Sequence, residues 1–185
     1  MAKTQSGNSK PLAIEILMAD HRKVEGLFAK YEKAKEADDE DRQEIAEKIC
    51  NELTVHATIE EEIFYPWLRE NLDADQMEMV EEAQIEHNSA KDVIEQIEDA
   101  TEVDAAFDAK VKVLCEQITH HVKEEESEIF PAVADQREAL DELGRQFQAR
   151  QAELKEELGM EDDSEPDRDQ KPAKRGGDAR KAASH

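Results

Sequence analysis

The chain has 185 residues, with 48 Asp and Glu against 24 Lys and Arg, a net charge of −24 and only 4% aromatic residues. So acidic a surface repels phosphate backbones and anionic membranes, and the expectation is no nucleic-acid binding by the folded part and no membrane partner. Few aromatics, 6 Gly and 5 Pro exclude a chain of many short strands and favour helices, whose outer faces tolerate charge.

Residues 1–10 are polar and lack the apolar centre of a secretory signal. Nothing downstream is long and apolar enough to span a bilayer. Cys50 and Cys115 stand in no metal or redox spacing and read as reduced packing residues. A cytoplasmic protein, monomeric or weakly dimeric, is the expectation.

Five helices are predicted. The first covers Pro11 to Lys35, with Pro11 suited to the first turn. The acidic stretch 36–41 turns the chain, and Asp38 or Asp39 can cap a second helix over Glu40 to Glu70. Asn71, Leu72 and Asp73 make the next turn. A third helix then runs from Ala74 to Asp99 and a fourth from Asp104 to about Val133. The fifth covers Gln136 to Leu158 and ends at Gly159, a suitable C′ residue. Residues 11–158 thus form one helical domain, and residues 159–185 read as a disordered charged tail. Residues 161–170 are acidic, and residues 171–185 hold five Lys and Arg against one Asp, a net +4, with too few apolar residues for a core.

The organising signal is an internal repeat. His21 is followed 35 residues later by His56, then Glu60 and Pro66; His87 is followed 34 residues later by His121, then Glu125 and Pro131. The strings HATIEEEIFYP and HVKEEESEIFP mark the repeat. A helical hairpin occurring twice predicts an all-α, up-down four-helix bundle with the fifth helix added to it.

Each histidine falls on an apolar stripe: Leu17-His21-Val24-Phe28, Leu53-His56-Glu60-Ile63, Ala83-His87-Ala90-Ile94 and Leu114-Ile118-His121-Glu125. One histidine on such a face is usually an ordinary core residue. Four at repeated spacing, with two carboxylates, are not, because burying an unpartnered carboxylate costs several kcal/mol. Residues four apart lie about 6 Å apart along one helix face. His56 with Glu60, and His121 with Glu125, can therefore reach metal from adjacent turns. The metal ligands expected are His21, His56, Glu60, His87, His121 and Glu125. The simplest arrangement is two metals bridged by both glutamates, with His21 and His56 on one and His87 and His121 on the other. Iron suits these donors, and manganese is also compatible. His120 falls off the stripe and reads as a surface or supporting residue. Glu61, Glu62, Glu124 and Glu126 read mainly as solvated charge, with one of them available to complete a coordination sphere.

The set Asp20-His21, His56-x3-Glu60 with Pro66, His87, and His121-x3-Glu125 with Pro131 resembles the hemerythrin HHE cation-binding family over about residues 11–134. The resemblance implies a non-haem diiron centre that binds or reacts with dioxygen, peroxide or nitric oxide, in oxygen or iron sensing or in oxidative and nitrosative stress. It departs from oxygen-carrying hemerythrins at Lys91, where those carry a further histidine, and at Glu125, four rather than five residues after the last histidine. Those departures argue for reaction or sensing over carriage. Peroxide consumption, reversible oxygen storage and a metal-free interaction bundle are the alternative functions. A ferritin-like oxidase is disfavoured, since Met18, Leu53, Gln84, Gln117 and Ile118, three before the histidines, include no Glu.

Overall fold

The computed structural model describes residues 9–35, 39–74 and 76–160. Among them no strand occurs, and no helix is long and apolar enough to cross a membrane. Helix α1 spans Leu12–Ala34. Helix α2 is one run in three parts: Asp39–Ile59, a π-helical turn Glu60–Phe64, and Tyr65–Asn71. Helix α3 spans Met77–Glu98. Helix α4 repeats the pattern of α2, with Ala105–Glu124, a π-helical turn Glu125–Ile129, and Phe130–Val133. Helix α5 spans Arg137–Glu157. The capping expectation at Asp38 and the tail expectation over 161–185 lie outside the described residues.

Local chemistry sets these limits. Asp104 caps α4, its carboxylate accepting the N–H groups of Ala106 and Phe107, both at 2.9 Å. Pro11 offers no side-chain cap, so α1 borrows one: the Leu12 N–H donates to Asp141 of α5 at 2.8 Å. Helix α3 begins at Met77 rather than Ala74, because Asp73 holds Gln76 in a turn through its side chain (3.1 Å) and its carbonyl (3.2 Å). At the end of α5, Gly159 takes φ +64°, and its N–H and that of Met160 return to the carbonyls of Glu156 and Lys155. This is the double-bonded glycine stop.

The π-helical turns were not expected from the sequence, although Pro66 and Pro131 mark them. Proline has no N–H and its ring crowds the carbonyl four residues back. In each repeat the residue before the proline instead bonds five residues back, Tyr65 N–H to Glu60 and Phe130 N–H to Glu125. The widened turn thus starts at the glutamate itself, a usual place for such bulges in functional helices.

Two apolar cores result. Leu17, Ile59, Phe64, Val80 and Ile129 belong to one; Val24, Leu53, Ala90 and Leu114 belong to the other. Along α1 and α3 the chain passes from the first core to the second, and along α2 and α4 it returns. The four histidines sit at the crossing point on every helix, as a polar layer between the cores. Helix α5 adds Leu140, Leu143, Phe147 and Leu154 to the first core only. It packs on α1 and α2. Leu158, counted on its stripe from sequence, is 40% exposed.

Candidate metal centre

All six sequence-selected residues, His21, His56, Glu60, His87, His121 and Glu125, are buried, at 5% exposure or less. Their donor atoms fall into two groups. His21, His56 and Glu125 bring one atom each within 4.8 Å of the others, as do Glu60, His87 and His121. The glutamates connect the groups. Glu60 lies 3.2 Å from His56 Nε2 and 3.4 Å from His87 Nε2. Glu125 lies 3.2 Å from His21 Nε2 and 3.5 Å from His121 Nε2. Each carboxylate therefore stands between a histidine of its own hairpin and one of the other.

Carboxylates also hold the outer edges of the rings. His21 Nδ1–H donates to Glu126 at 2.9 Å, His87 Nδ1–H to Glu61 at 3.1 Å and His121 Nδ1–H to Glu86 at 2.9 Å. Asp20 faces His56 Nδ1 at 3.6 Å and itself accepts from Gln151 at 2.7 Å. At His21, His87 and His121 this pattern fixes the tautomer and aims the Nε2 lone pair inward, whereas His56 Nδ1 has no hydrogen-bond partner. The expectation that Glu61 and Glu126 are solvated charge is therefore corrected: both are partly buried and spent on ring nitrogens. The sequence signal for them was the repeat itself. Asp20-His21 aligns with Glu86-His87, and Glu60-Glu61 with Glu125-Glu126.

With Nδ1 protonated, the inner atoms conflict. His87 Nε2 and His121 Nε2 stand 3.0 Å apart, so two lone pairs face each other. Both oxygens of Glu60 and of Glu125, together with His21 Nε2 and His56 Nε2, have no hydrogen-bond partner. Leaving buried groups unsatisfied is costly. Without a cation the conflict is relieved by protons. Burial disfavours a charged ring, yet Glu60 and Asp20 outweigh it and raise the His56 pKa well above the usual imidazole value. Burial is likewise outweighed at His87 by Glu60 and Glu61, which raise it to about 9. The Glu60 carboxyl is held well below the usual range against its own burial, chiefly by His56. His87, then Lys91, bring Glu61 down to about 2. Divalent cations in the two groups would satisfy every one of these acceptors, so the donor set fits a dinuclear metal centre.

Tyr65 was not singled out from sequence. It is fully buried and its hydroxyl lies 3.2 Å from His87 Nε2. Burial and the carboxylates of Glu60 and Glu125 raise its pKa well above the ordinary phenol value. In the second repeat the same place holds Phe130, stacked on His21 at a ring separation of 5.9 Å. Lys91 pairs with Glu61 at 2.7 Å. His120 is exposed and contacts Glu124 at 3.1 Å. Beside the centre is a cavity of about 140 Å³ whose walls include Val24, Leu53, Ala57, Ala90, Ile94 and Ile118.

Two comparisons bear on identity. The family model described as the hemerythrin HHE cation binding domain matches residues 12–133. A DNA nickase of Nostoc sp. (strain PCC 7120) is 28% identical over 162 residues, covering 85% of this chain and 44% of that protein. The chain thus spans less than half the length of that relative. No solved structure matches.

Proposed function

The chain belongs to the hemerythrin HHE cation-binding family. We propose that it is a non-haem diiron protein of the cytoplasm, built as an up-down four-helix bundle with α5 laid on its side. In this reading His21 and His56 would hold one iron and His87 and His121 the other, with Glu60 and Glu125 supplying carboxylate oxygens between them. Manganese meets the same donors. What carries the reading is the pair of buried donor groups joined by two carboxylates whose oxygens have no other partner. The bound metals would supply redox chemistry toward dioxygen, peroxide or nitric oxide.

The chain's own residues shape that chemistry. Glu61, Glu86 and Glu126 hold the imidazoles rigidly. The cavity, walled largely by apolar side chains, has room for a small uncharged molecule beside the donors. Tyr65 puts a hydroxyl beside one metal position only, where it can donate a proton or hydrogen bond or take up coordination. Lys91, a cation with no lone pair, is occupied by Glu61 and adds no donor. A coordination position left open is what reactive metal sites keep available. We therefore favour reaction or sensing in a stress response over reversible carriage.

The nicking activity named for the relative is not carried over. A net charge of −24 and the glutamates that rim the centre repel a phosphate backbone. The test is elemental analysis of iron-loaded protein with spectra taken without and then with oxygen. About two irons per chain and a one-way oxidation are expected. A folded protein that retains no metal would overturn the diiron reading, and many stable oxygenation cycles would restore carriage. Nicking of supercoiled plasmid by the loaded protein, abolished by His121→Ala, would assign the relative's activity to this domain.

A further inference from the structure

The repeat is nearly two-fold in its donors but not in its surroundings. Positions equivalent to Ile16, Val55, Ile59 and Ile63 of the first hairpin are Glu82, His120, Glu124 and Glu128 in the second. In the first hairpin Val55 and Ile59 are 1% and 0% exposed, in the same core as Leu140 and Phe147 of α5. In the second, no helix among the described residues covers the matching face. Between α3 and α4 lies a cleft of about 100 Å³, lined by Met79, Glu82, Glu86, Glu124 and Glu128 on its flanks. His121 and Glu125 close its inner end.

An uncovered face must be polar, but that does not explain its sign. Glu82 and Glu86, and Glu124 and Glu128, are like charges four residues apart, a spacing that destabilises a helix. Among the described residues no Lys or Arg lines the cleft. At its rim, Glu86, His120 and Glu124 bring one donor atom each within 4.8 Å of one another, with His120 Nε2 at 3.1 Å from Glu124 and 3.5 Å from Glu86. A second observation is at the bottom: Glu125 is 0% exposed, and neither of its oxygens has a hydrogen-bond partner. A cleft lined with one sign of charge concentrates the opposite ion.

We infer that this acidic cleft between α3 and α4 is the entry route for divalent cations, with Glu86, His120 and Glu124 as a transient binding site on the way to Glu125 and His121. A hydrated cation exchanges water for carboxylate oxygens at the rim and passes inward to buried acceptors that lack hydrogen-bond partners. Helix α5 closes the matching route through the first hairpin, so both metal positions fill from one side. The inference rests on the metal-centre reading above.

The test uses the full chain stripped of metal, mixed rapidly with Co(II) and followed by its visible absorption. The variant E82Q/E124Q/E128Q spares Glu86, which holds His121. A control, E95Q/E98Q/E102Q, removes the same charge from exposed positions on α3 and the turn after it. At low salt the cleft variant should take up Co(II) about tenfold more slowly, the scale on which charged clefts raise association rates. The control should match the wild type. Final cobalt content, final spectrum and circular dichroism should be unchanged. Salt should slow the wild type and leave the cleft variant nearly flat, and Glu124→Lys alone should slow uptake as well. Equal rates in cleft variant and wild type, or equal slowing in the control, would overturn the route while leaving the centre intact. Wild-type protein that takes up no cobalt would overturn both.

Discussion

The first hairpin, α1 with α2, and the second, α3 with α4, place the same donors on the same turns, yet they sit in different environments. Around the first, α5 seals the outside with Leu140, Leu143 and Phe147, and Gln151 reaches in to Asp20. Around the second, glutamates and His120 meet solvent. Inside, Tyr65 faces the position held by His87 and His121, while Phe130 stacks on His21 on the other side. On the diiron reading proposed above, the donors are duplicated because a metal pair needs matched ligands. On the same reading, the surroundings diverge because a site that must be filled, reached and protected cannot be closed or open on both sides.

The strongest test of the duplication is to break a bridge. Each glutamate touches both donor groups, so Glu60→Ala and Glu125→Ala should each deplete both metals, whichever hairpin is altered. Elemental analysis should fall well below one metal per chain in either variant; loss confined to half the metal would show that the hairpins act separately. His121→Ala should behave as severely, while His120→Ala should keep its metal at equilibrium.

Metal removal comes next in size. In the stripped protein Glu60 and Glu125 lose the divalent charge that would offset their burial, and breaking a buried charge pairing typically costs about 3–5 kcal/mol. Thermal melting should drop on chelation and recover on reloading. An unchanged midpoint would mean that protons satisfy the centre as well as metal does.

The closed side can be loosened without touching a donor. A Cβ on Gly144 of α5 would stand 2.7 Å from the Ala13 backbone nitrogen and 2.5 Å from Leu12 Cγ. Gly144→Ala should therefore push α5 off α1 and cost about 1–3 kcal/mol, as overpacking does. Denaturant titration should detect it, with metal content retained. A neutral effect would mean that α5 is not seated tightly on the first hairpin.

Tyr65→Phe makes the two interiors alike. It should retain metal and the fold but change the visible spectrum of the oxidised protein and its rate of oxidation. An identical spectrum and rate would reduce Tyr65 to a packing residue. The smallest expected effect concerns the thiols. Burial pushes Cys50 up to about 12, while Cys115 is only half-buried. Iodoacetamide near pH 8 should label Cys115 first, and a faster Cys50 would show that the second core opens readily.

The donors were legible because they obey helical periodicity, which is local. His21, His56, His87 and His121 share stripes with Leu17, Leu53, Ala90 and Leu114, and Glu60 and Glu125 follow at four residues. A carboxylate on such a stripe has few explanations besides metal. The same local logic gave five helices, the Asp104 start and the Gly159 stop. The supporting carboxylates were harder to see. Glu61 and Glu126 lie one residue past a donor, off the stripe, and only their partners across the bundle distinguish them from surface charge. Glu86 and Asp20 precede histidines but serve the histidine of the neighbouring helix.

What the chain by itself determined is therefore the set of inward-facing groups and their order, since spacing along a helix decides which residues share a face. What only the tertiary structure decided is which groups meet. The approach of Glu60 to His87 and of Glu125 to His21, the Tyr65 contact, and the side that α5 covers all depend on how separate helices are placed. That placement is set by packing between faces distant in sequence, where proline-widened turns and a few apolar side chains move atoms by ångströms that no spacing rule records.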